Sequence, residues 1–323
     1  MKAFLQETYG SVQNLKLTNI PKSIPKENEV LIKIYATSIN DYDWSMIRGK
    51  PYIYRLMYGI FKPKNKVLGM ELSGIIEQIG EKVSNFKIGD EVYGDISNYG
   101  FGSFAEYLCI DEKAVLPKPS NLSFEEATAL PHAGGLALQG LLDVGKLTPG
   151  KKVLINGAGG GMGILAVQIA INEEAEVTGV DSAEKLEGMK PYGFKEVIDY
   201  KSTDFTKQGI LYDLILDAKT NRSPFKYLKV LEPNGSYVTV GGSLLRLLQI
   251  LFLKRWISLF HKKHFEIVAL KPNKDMNILE KLVEEGKLKT ALDGPFMLEQ
   301  IPVAIKRFGE GKHLGKVVIS VAQ

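Results

Sequence analysis

Two kinds of hydrophobic spacing divide the chain. Up to about Ser123, apolar positions come in short runs broken by Gly and Pro. Val30 to Ile39 alternates in part, Leu72 to Ile79 follows a Gly-Met-Glu turn, and Gly89-Asp90 leads into Glu91-Val92-Tyr93. This punctuation predicts a compact β-rich domain, barrel-like in outline. Beyond it a helix is expected within 124–150, opened by Asn121, Ser123 and Glu125-Glu126. Strand-like runs then recur at 153–156, 176–180, 196–200, 211–218, 236–242 and 265–270, with helical or loop stretches between. Strands alternating with helices read as parallel βαβ units, here a doubly wound six-stranded sheet of the Rossmann kind.

Lys151 to Ala170 joins strand, glycine turn and helix without interruption. Val153 to Ile155 suits a strand buried on both faces. Gly157, Gly160 and Gly163 stand three apart, with Gly159 and Gly161 between them. Met162 to Ala170 supplies a helix whose first N–H groups lack partners, so the turn can cradle a pyrophosphate. The spacing is GxxGxxG, and a bare strand–helix corner is the alternative. Asp181 lies 18 residues past Gly163, near the offset at which an acid meets a ribose. Ser182 and Lys185 follow the same strand end. Tyr200, Asp217-Ala218 and Val240-Gly241-Gly242 close later strands on the same side of the sheet.

Composition narrows the class. A length of 323 residues favours two domains, and 45% hydrophobic with 24% charged residues excludes a disordered or fibrous chain. A net charge of +4 without a long basic run outside one segment does not imply nucleic acid. Cys109 is the one cysteine, which excludes an internal disulfide and any multi-cysteine zinc site; within FAEYLCI it reads as a small strand residue. Met1 leads straight into a strand-like start with no apolar signal region, so a cytoplasmic protein is expected.

Four stretches carry a family likeness: ATSINDYDWSMIRG at 36–49, LGMELSGIIEQIGEKVSNFKIGDEVYG at 68–94, LPHAGGLALQGL at 130–141, and the glycine turn. With GKVVIS at 315–320 they resemble the zinc-free quinone oxidoreductase branch of the medium-chain dehydrogenase/reductase superfamily, over nearly the full chain. The resemblance implies a GroES-like β domain, 1–123 completed by 271–323, carrying a Rossmann domain at 124–270. It also implies that zinc is absent, since Gly69-Met70-Glu71 and Ser38 to Asn40 stand where zinc-dependent relatives have ligands. His132, His261, His264 and His313 do not rebuild a site. Leu136 occupies the place of a threonine that relatives set near the nicotinamide.

For the cofactor, Asp181 fits the ribose hydroxyls of NAD, whereas Ser182, Lys185 and Tyr200 resemble contacts to the 2′-phosphate of NADPH; the balance favours NADPH, with NAD as the second choice. The cofactor set is then Gly157, Gly159, Gly160, Gly161, Met162, Gly163, Asp181, Ser182, Lys185, Tyr200, Val240, Gly241 and Gly242. Asn40 is the candidate catalytic residue, its amide donating to a carbonyl that gains charge, though Asn also serves in turns. Tyr42, Trp44 and Tyr52 are candidates for a pocket wall, with plain covering of the core as the equal alternative. The expected activity is zinc-independent hydride transfer to quinones or conjugated carbonyl compounds. An alcohol dehydrogenase, or a low-turnover nucleotide-binding protein acting through a partner or membrane, are the alternatives.

One segment stands apart. Ser243 to His264 has Leu244, Leu247, Leu248, Leu251 and Ile257 near helical spacing, together with Arg246, Lys254, Arg255, Lys262 and Lys263 and no acid. It predicts an amphipathic helix that serves a homodimer contact or a lid, or lies peripherally on a membrane surface.

Overall fold

The computed structural model describes residues 1–322 and separates into two compact units. One comprises Met1–His132, Pro272–Met276 and Leu292–Gln323; the other comprises Ala133–Lys271 and Asn277–Ala291. The first unit therefore keeps 124–132, and the second recruits 277–291, both different from the division expected above. The helix at 276–284 accounts for the second shift: Gln168 from the glycine-turn helix binds the backbone of Lys289 at 2.8 and 2.9 Å, tying the segment after it to the second unit.

In chain order, the first unit opens with a hairpin of β1 (Lys2–Gln6) and β2 (Leu15–Asn19). Its main sheet is built on β3 (Glu29–Ser38), which pairs antiparallel with β4 (Glu71–Ile79), with β6 (Tyr107–Asp111) and later with the last strand. Strands β5 (Glu91–Asp95) and β7 (Leu116–Pro117) extend one side. Helices α1 (Asp41–Arg48) and α2 (Ile53–Tyr58) lie between β3 and β4 in sequence. Gly49 ends α1 at φ 59°, the left-handed position that glycine takes without steric cost. Cys109 sits half-buried on β6, and burial pushes its thiol up to about 11, so the thiolate is scarce at neutral pH.

The single helix expected over 124–150 is broken instead. A capping box, Ser123 with Glu126, starts α3 (Phe124–Thr128); Pro131 then begins α4 (Pro131–Leu138), and Gln139–Val144 continues as a π-helical turn.

The second unit holds β8 (Lys152–Asn156), α5 (Gly161–Asn172), β9 (Glu176–Asp181), α6 (Ala183–Met189), β10 (Glu196–Asp199), β11 (Tyr212–Asp217), α7 (Pro224–Leu228), β12 (Leu231–Thr239), α8 (Leu244–His261), β13 (His264–Ile267) and α9 (Met276–Glu284). All six strands are parallel, in the order β10-β9-β8-β11-β12-β13. The order reverses between β8 and β11, which is the ligand-binding switch point of an open parallel sheet. From Met162 to Ala170 helix α5 is apolar but for Gln168 and is buried, as a helix enclosed by its sheet and neighbours must be.

The chain then returns to the first unit with β14 (Leu292–Met297), α10 (Ile301–Gly309) and β15 (Lys316–Ser320), whose pairing with β3 brings Val318 opposite Ser38.

Candidate functional site

In the second unit, the glycine turn forms as its spacing requires. Gly157 adopts φ 89°, and its N–H and that of Ala158 both donate to the Val180 carbonyl at 2.9 and 3.1 Å, locking the turn to the end of β9. Gly160 precedes the first turn of α5. At Gly163 a Cβ would stand 2.5 Å from the backbone of Ala158, so the helix and turn meet only because no side chain intervenes. Gly161, Met162 and Gly163 open α5, whose free N–H groups and positive dipole end suit a pyrophosphate.

Asp181 is buried at the end of β9, and both its oxygens are already engaged. Oδ2 accepts the Gly159 N–H at 2.8 Å, Oδ1 accepts the Ser182 N–H at 2.8 Å, and the buried Lys185 ammonium lies 3.5 Å from Oδ1. The carboxylate thus braces the turn rather than standing open to a ribose. Tyr200 is joined to the same strand end through its N–H and the Asp181 carbonyl at 3.1 Å, with its ring partly exposed. The Lys201 ammonium, unremarked in the sequence, lies beside it on Glu184 at 3.0 Å. Val240, Gly241 and Gly242 follow β12; the Val240 N–H reaches the Asp217 carbonyl at 3.1 Å, and Thr239 Oγ1 donates to the Gly241 carbonyl at 2.9 Å. The side chain of Asp217 is itself saturated by Asn156, Lys219, Thr220 and Tyr237, so it serves the switch point structurally.

The first unit contains a polar cluster that sequence spacing could not assemble. Glu71 is fully buried on β4. Its Oε2 accepts from Ser38 Oγ at 2.6 Å, Asn40 Nδ2 at 2.8 Å and the Lys316 ammonium at 2.5 Å, while Oε1 accepts the His132 backbone N–H at 2.7 Å. Lys316 also donates to Asn40 Oδ1 at 2.6 Å. The Asn40 amide is therefore fixed in orientation by two charged partners, with one Nδ2 hydrogen not required by Glu71. Its backbone is fixed too: the Asn40 N–H meets Asp43 Oδ2 at 2.9 Å, and Asp43 Oδ1 takes the Gly69 N–H at 3.1 Å. Burial pushes the Asp43 carboxyl up to about 7 against the pull of those two N–H groups.

His132 lies against the same cluster. Its Nδ1 is 2.8 Å from Asp95 Oδ2, and its Nε2 is 4.0 Å from Asp41 Oδ1. Tyr42 meets the His132 ring edge-on at 6.4 Å and Tyr54 at 5.7 Å, extending the cluster with an aromatic wall. The other two wall candidates lie elsewhere. Trp44 stacks under the Arg48 guanidinium at 4.3 Å and fills the space over Gly309 of α10, while Tyr52 is 67% exposed beside Arg55. The sequence does not bring Lys316, Glu71 and Asp95 together, because they come from strands far apart in the chain; Glu71 stands out there only within Gly69-Met70-Glu71, and the one other local signal is a lysine inside an otherwise apolar strand run.

Residues 26–120 match the family model described as alcohol dehydrogenase GroES-like domain, and 192–319 match that described as zinc-binding dehydrogenase. Over 330 residues the chain is 34% identical to a 2-methylene-furan-3-one reductase of Solanum lycopersicum, covering 99% of this chain and 79% of the relative. The chain belongs to the quinone oxidoreductase-like branch of the medium-chain dehydrogenase/reductase superfamily. As a member it is an NAD(P)H-dependent oxidoreductase. A chloroplast envelope quinone oxidoreductase homolog of Arabidopsis thaliana is 31% identical over 99% of this chain and 98% of its own length. The solved quinone oxidoreductase from Coxiella burnetii superposes with a TM-score of 0.88 at 27% identity, covering 100% of this chain and 99% of that one.

The second family model is described by zinc, and the residues here do not suit that ion. Where a cation would sit beside Glu71, the Lys316 ammonium already neutralises the carboxylate at 2.5 Å. Ser38 spends its hydroxyl on the same oxygen, and Met70 is buried in the core. Among the described residues no group of three or more His, Cys, Asp or Glu is placed to hold a metal. The glycine turn, by contrast, suits a dinucleotide.

Proposed function

We propose that the protein reduces quinones or related conjugated carbonyl compounds with NADPH, without zinc. The observation that carries this reading is the Asn40 amide, held by Glu71 and Lys316 so that its remaining N–H can meet an acceptor carbonyl as negative charge develops on the oxygen. The bound nicotinamide supplies the hydride. The tomato and Arabidopsis relatives, named for a conjugated furanone and for quinones, support the same acceptor class. An alcohol dehydrogenase that polarises its substrate through zinc is disfavoured by the Lys316–Glu71 pair.

Preference for NADPH over NADH is supported by Asp181. With both oxygens taken by main-chain N–H groups, it does not offer a free acid to a ribose diol, and the neighbouring Lys185, Ser182 and Tyr200 leave the site suited to a phosphate.

The outer face of α8 serves a homodimer in this reading. Ile250 and Ile257 point into the core, whereas Leu245, Phe252, Leu259 and Phe260 are exposed, Phe252 by 82%. Strand β13, which follows, ends the sheet order and offers an edge to a second copy. Lys254 is tied to Glu266 at 2.9 Å and Lys263 to the Leu228 carbonyl at 2.8 Å, so the basic residues of the segment are partly committed within the chain, which favours a second copy over an anionic membrane. No helix among the described residues is long and apolar enough to cross a membrane.

The test is anaerobic mixing of the NADPH-loaded protein with a panel of quinones, enones, aldehydes and alcohols, following cofactor absorbance. Rapid oxidation by quinones or enones is expected. Tight NADPH binding with no acceptor consumed would leave the low-turnover nucleotide-binding alternative.

A further inference from the structure

Hydride is only half of what a conjugated carbonyl needs. When hydride reaches the β-carbon of an enone, the carbon–carbon π pair moves toward the carbonyl and leaves an enolate; a proton at the α-carbon completes the saturated product. Reduced quinones need protons on oxygen, which water supplies readily, whereas protonation on carbon gains from a positioned acid.

The structure ties a histidine into the same network as Asn40. One buried carboxylate sets both positions, because Glu71 Oε2 takes the Asn40 amide at 2.8 Å and Oε1 takes the His132 backbone N–H at 2.7 Å. The His132 ring is then oriented from its inner end: Nδ1 bonds Asp95 Oδ2 at 2.8 Å, and Asp95 Oδ1 is held by the Ser97 N–H at 2.9 Å. Its outer end, Nε2, lies 4.0 Å from Asp41 Oδ1, whose side chain is 60% exposed, and the ring edge meets Tyr42. An inner carboxylate thus fixes the imidazole ring, and an outer one, too far from Nε2 for a direct hydrogen bond, stands between it and solvent at the span of one bridging water.

We propose that His132 is a catalytic acid of this enzyme, passing its Nε2 proton to the α-carbon of an enolate held at Asn40. The inference rests on the reductase reading above. The balance is complete: the C=C bond is reduced by one hydride and one proton, the dihydronicotinamide is oxidised, the Nε2–H bond breaks, and neutral imidazole regains a proton from water by way of Asp41. The charged groups around the ring favour its protonated form. Burial opposes the charge, but the hydrogen bond and attraction of Asp95, with the attraction of Glu71, outweigh it and the repulsion of Lys316, holding His132 above its ordinary value. Asp95 is held below the usual carboxylate range: burial opposes this, but the hydrogen bond and charge of His132 with the bonds from Ser97 prevail. Tyr42 is shifted up by burial and by Asp41, so it stays neutral.

The experiment compares wild type, His132→Gln, Asp95→Asn and Asp41→Asn, each with NADPH and with two acceptors, an α-methyl cyclic enone and benzoquinone. Protonation of the enone creates a stereocentre at the α-carbon. His132→Gln should lose about a hundredfold in kcat on the enone, the usual contribution of a positioned acid, and give product racemic at that carbon, with benzoquinone turnover nearly intact. Asp41→Asn should slow enone turnover while keeping the stereochemistry. Independently of turnover, nitrogen-15 NMR of the free protein should show His132 titrating above the ordinary imidazole range, and lower in Asp95→Asn. Equal losses on both acceptors, or enone turnover and stereochemistry kept by His132→Gln, would overturn the proposal while leaving the reductase reading standing. A wild type inert to both acceptors would overturn both readings.

Discussion

Replacing Lys316 by Met removes the ammonium that touches a carboxylate wholly buried among strands β3, β4 and β15. The side chain keeps an unbranched apolar stem and loses only the terminal group, so the change isolates the ammonium. In the native protein Glu71 has four donors, of which Lys316, at 2.5 Å, is the only charged one. The substitution leaves Glu71 with three neutral donors and strips Asn40 Oδ1 of its partner. Breaking a buried ion pair from one side costs about 3–5 kcal/mol, and the three neutral donors on the remaining charge place the expected loss toward the lower end. The chain has two tryptophans, Trp44 in the first unit and Trp256 on α8, so the measurement uses a Trp256→Phe background in which Trp44 fluorescence reports the first unit alone during urea unfolding. Adding Glu71→Gln should restore about 2 kcal/mol or more, since the buried charge disappears together with its counter-ion. A single-variant loss under about 1 kcal/mol, the worth of an exposed pair, would refute the reasoning, as would a double variant no more stable than the single one.

Three further outcomes are expected. Purified protein should hold no stoichiometric zinc by elemental analysis and keep its turnover in a strong chelator; one zinc per chain whose removal abolishes turnover would contradict the assignment of Lys316 to the cation position. Lys185→Ala should weaken NADPH more than NADH in a fluorescence titration, and equal losses for both would remove Lys185 from the phosphate site. Phe252→Glu on α8 should convert a dimer to a monomer in analytical ultracentrifugation; a wild type that stays monomeric and pellets with anionic vesicles at low salt would give that face to lipid instead.

Much of the second unit was legible in the chain because its signals are local. Glycines three apart between a strand run and a helix run favour a tight turn, and apolar runs spaced by helices leave a parallel sheet as the compact solution, so six strands and the glycine turn were readable residue by residue. Boundaries moved where a local feature competed, as at Pro131, which splits the expected helix into α3 and α4, and at α9, whose neighbourhood is tied to α5 by Gln168 across more than a hundred residues of sequence. Asn40 could be singled out from its surroundings, but not its partners. Glu71, Lys316 and the His132–Asp95 pair meet only when β3, β4, β5 and β15 come into register, and the burial that raises the cost of each charge also makes their pairing obligatory. Asp181 shows the same division: its distance from the glycines is written in the sequence, while the engagement of both its oxygens by Gly159 and Ser182 depends on the close approach of turn and strand in three dimensions. Hydrophobic period and glycine spacing act over a few residues and determined the architecture; low dielectric and hydrogen-bond saturation act between residues remote in the chain, and only the tertiary structure decided which charges face one another.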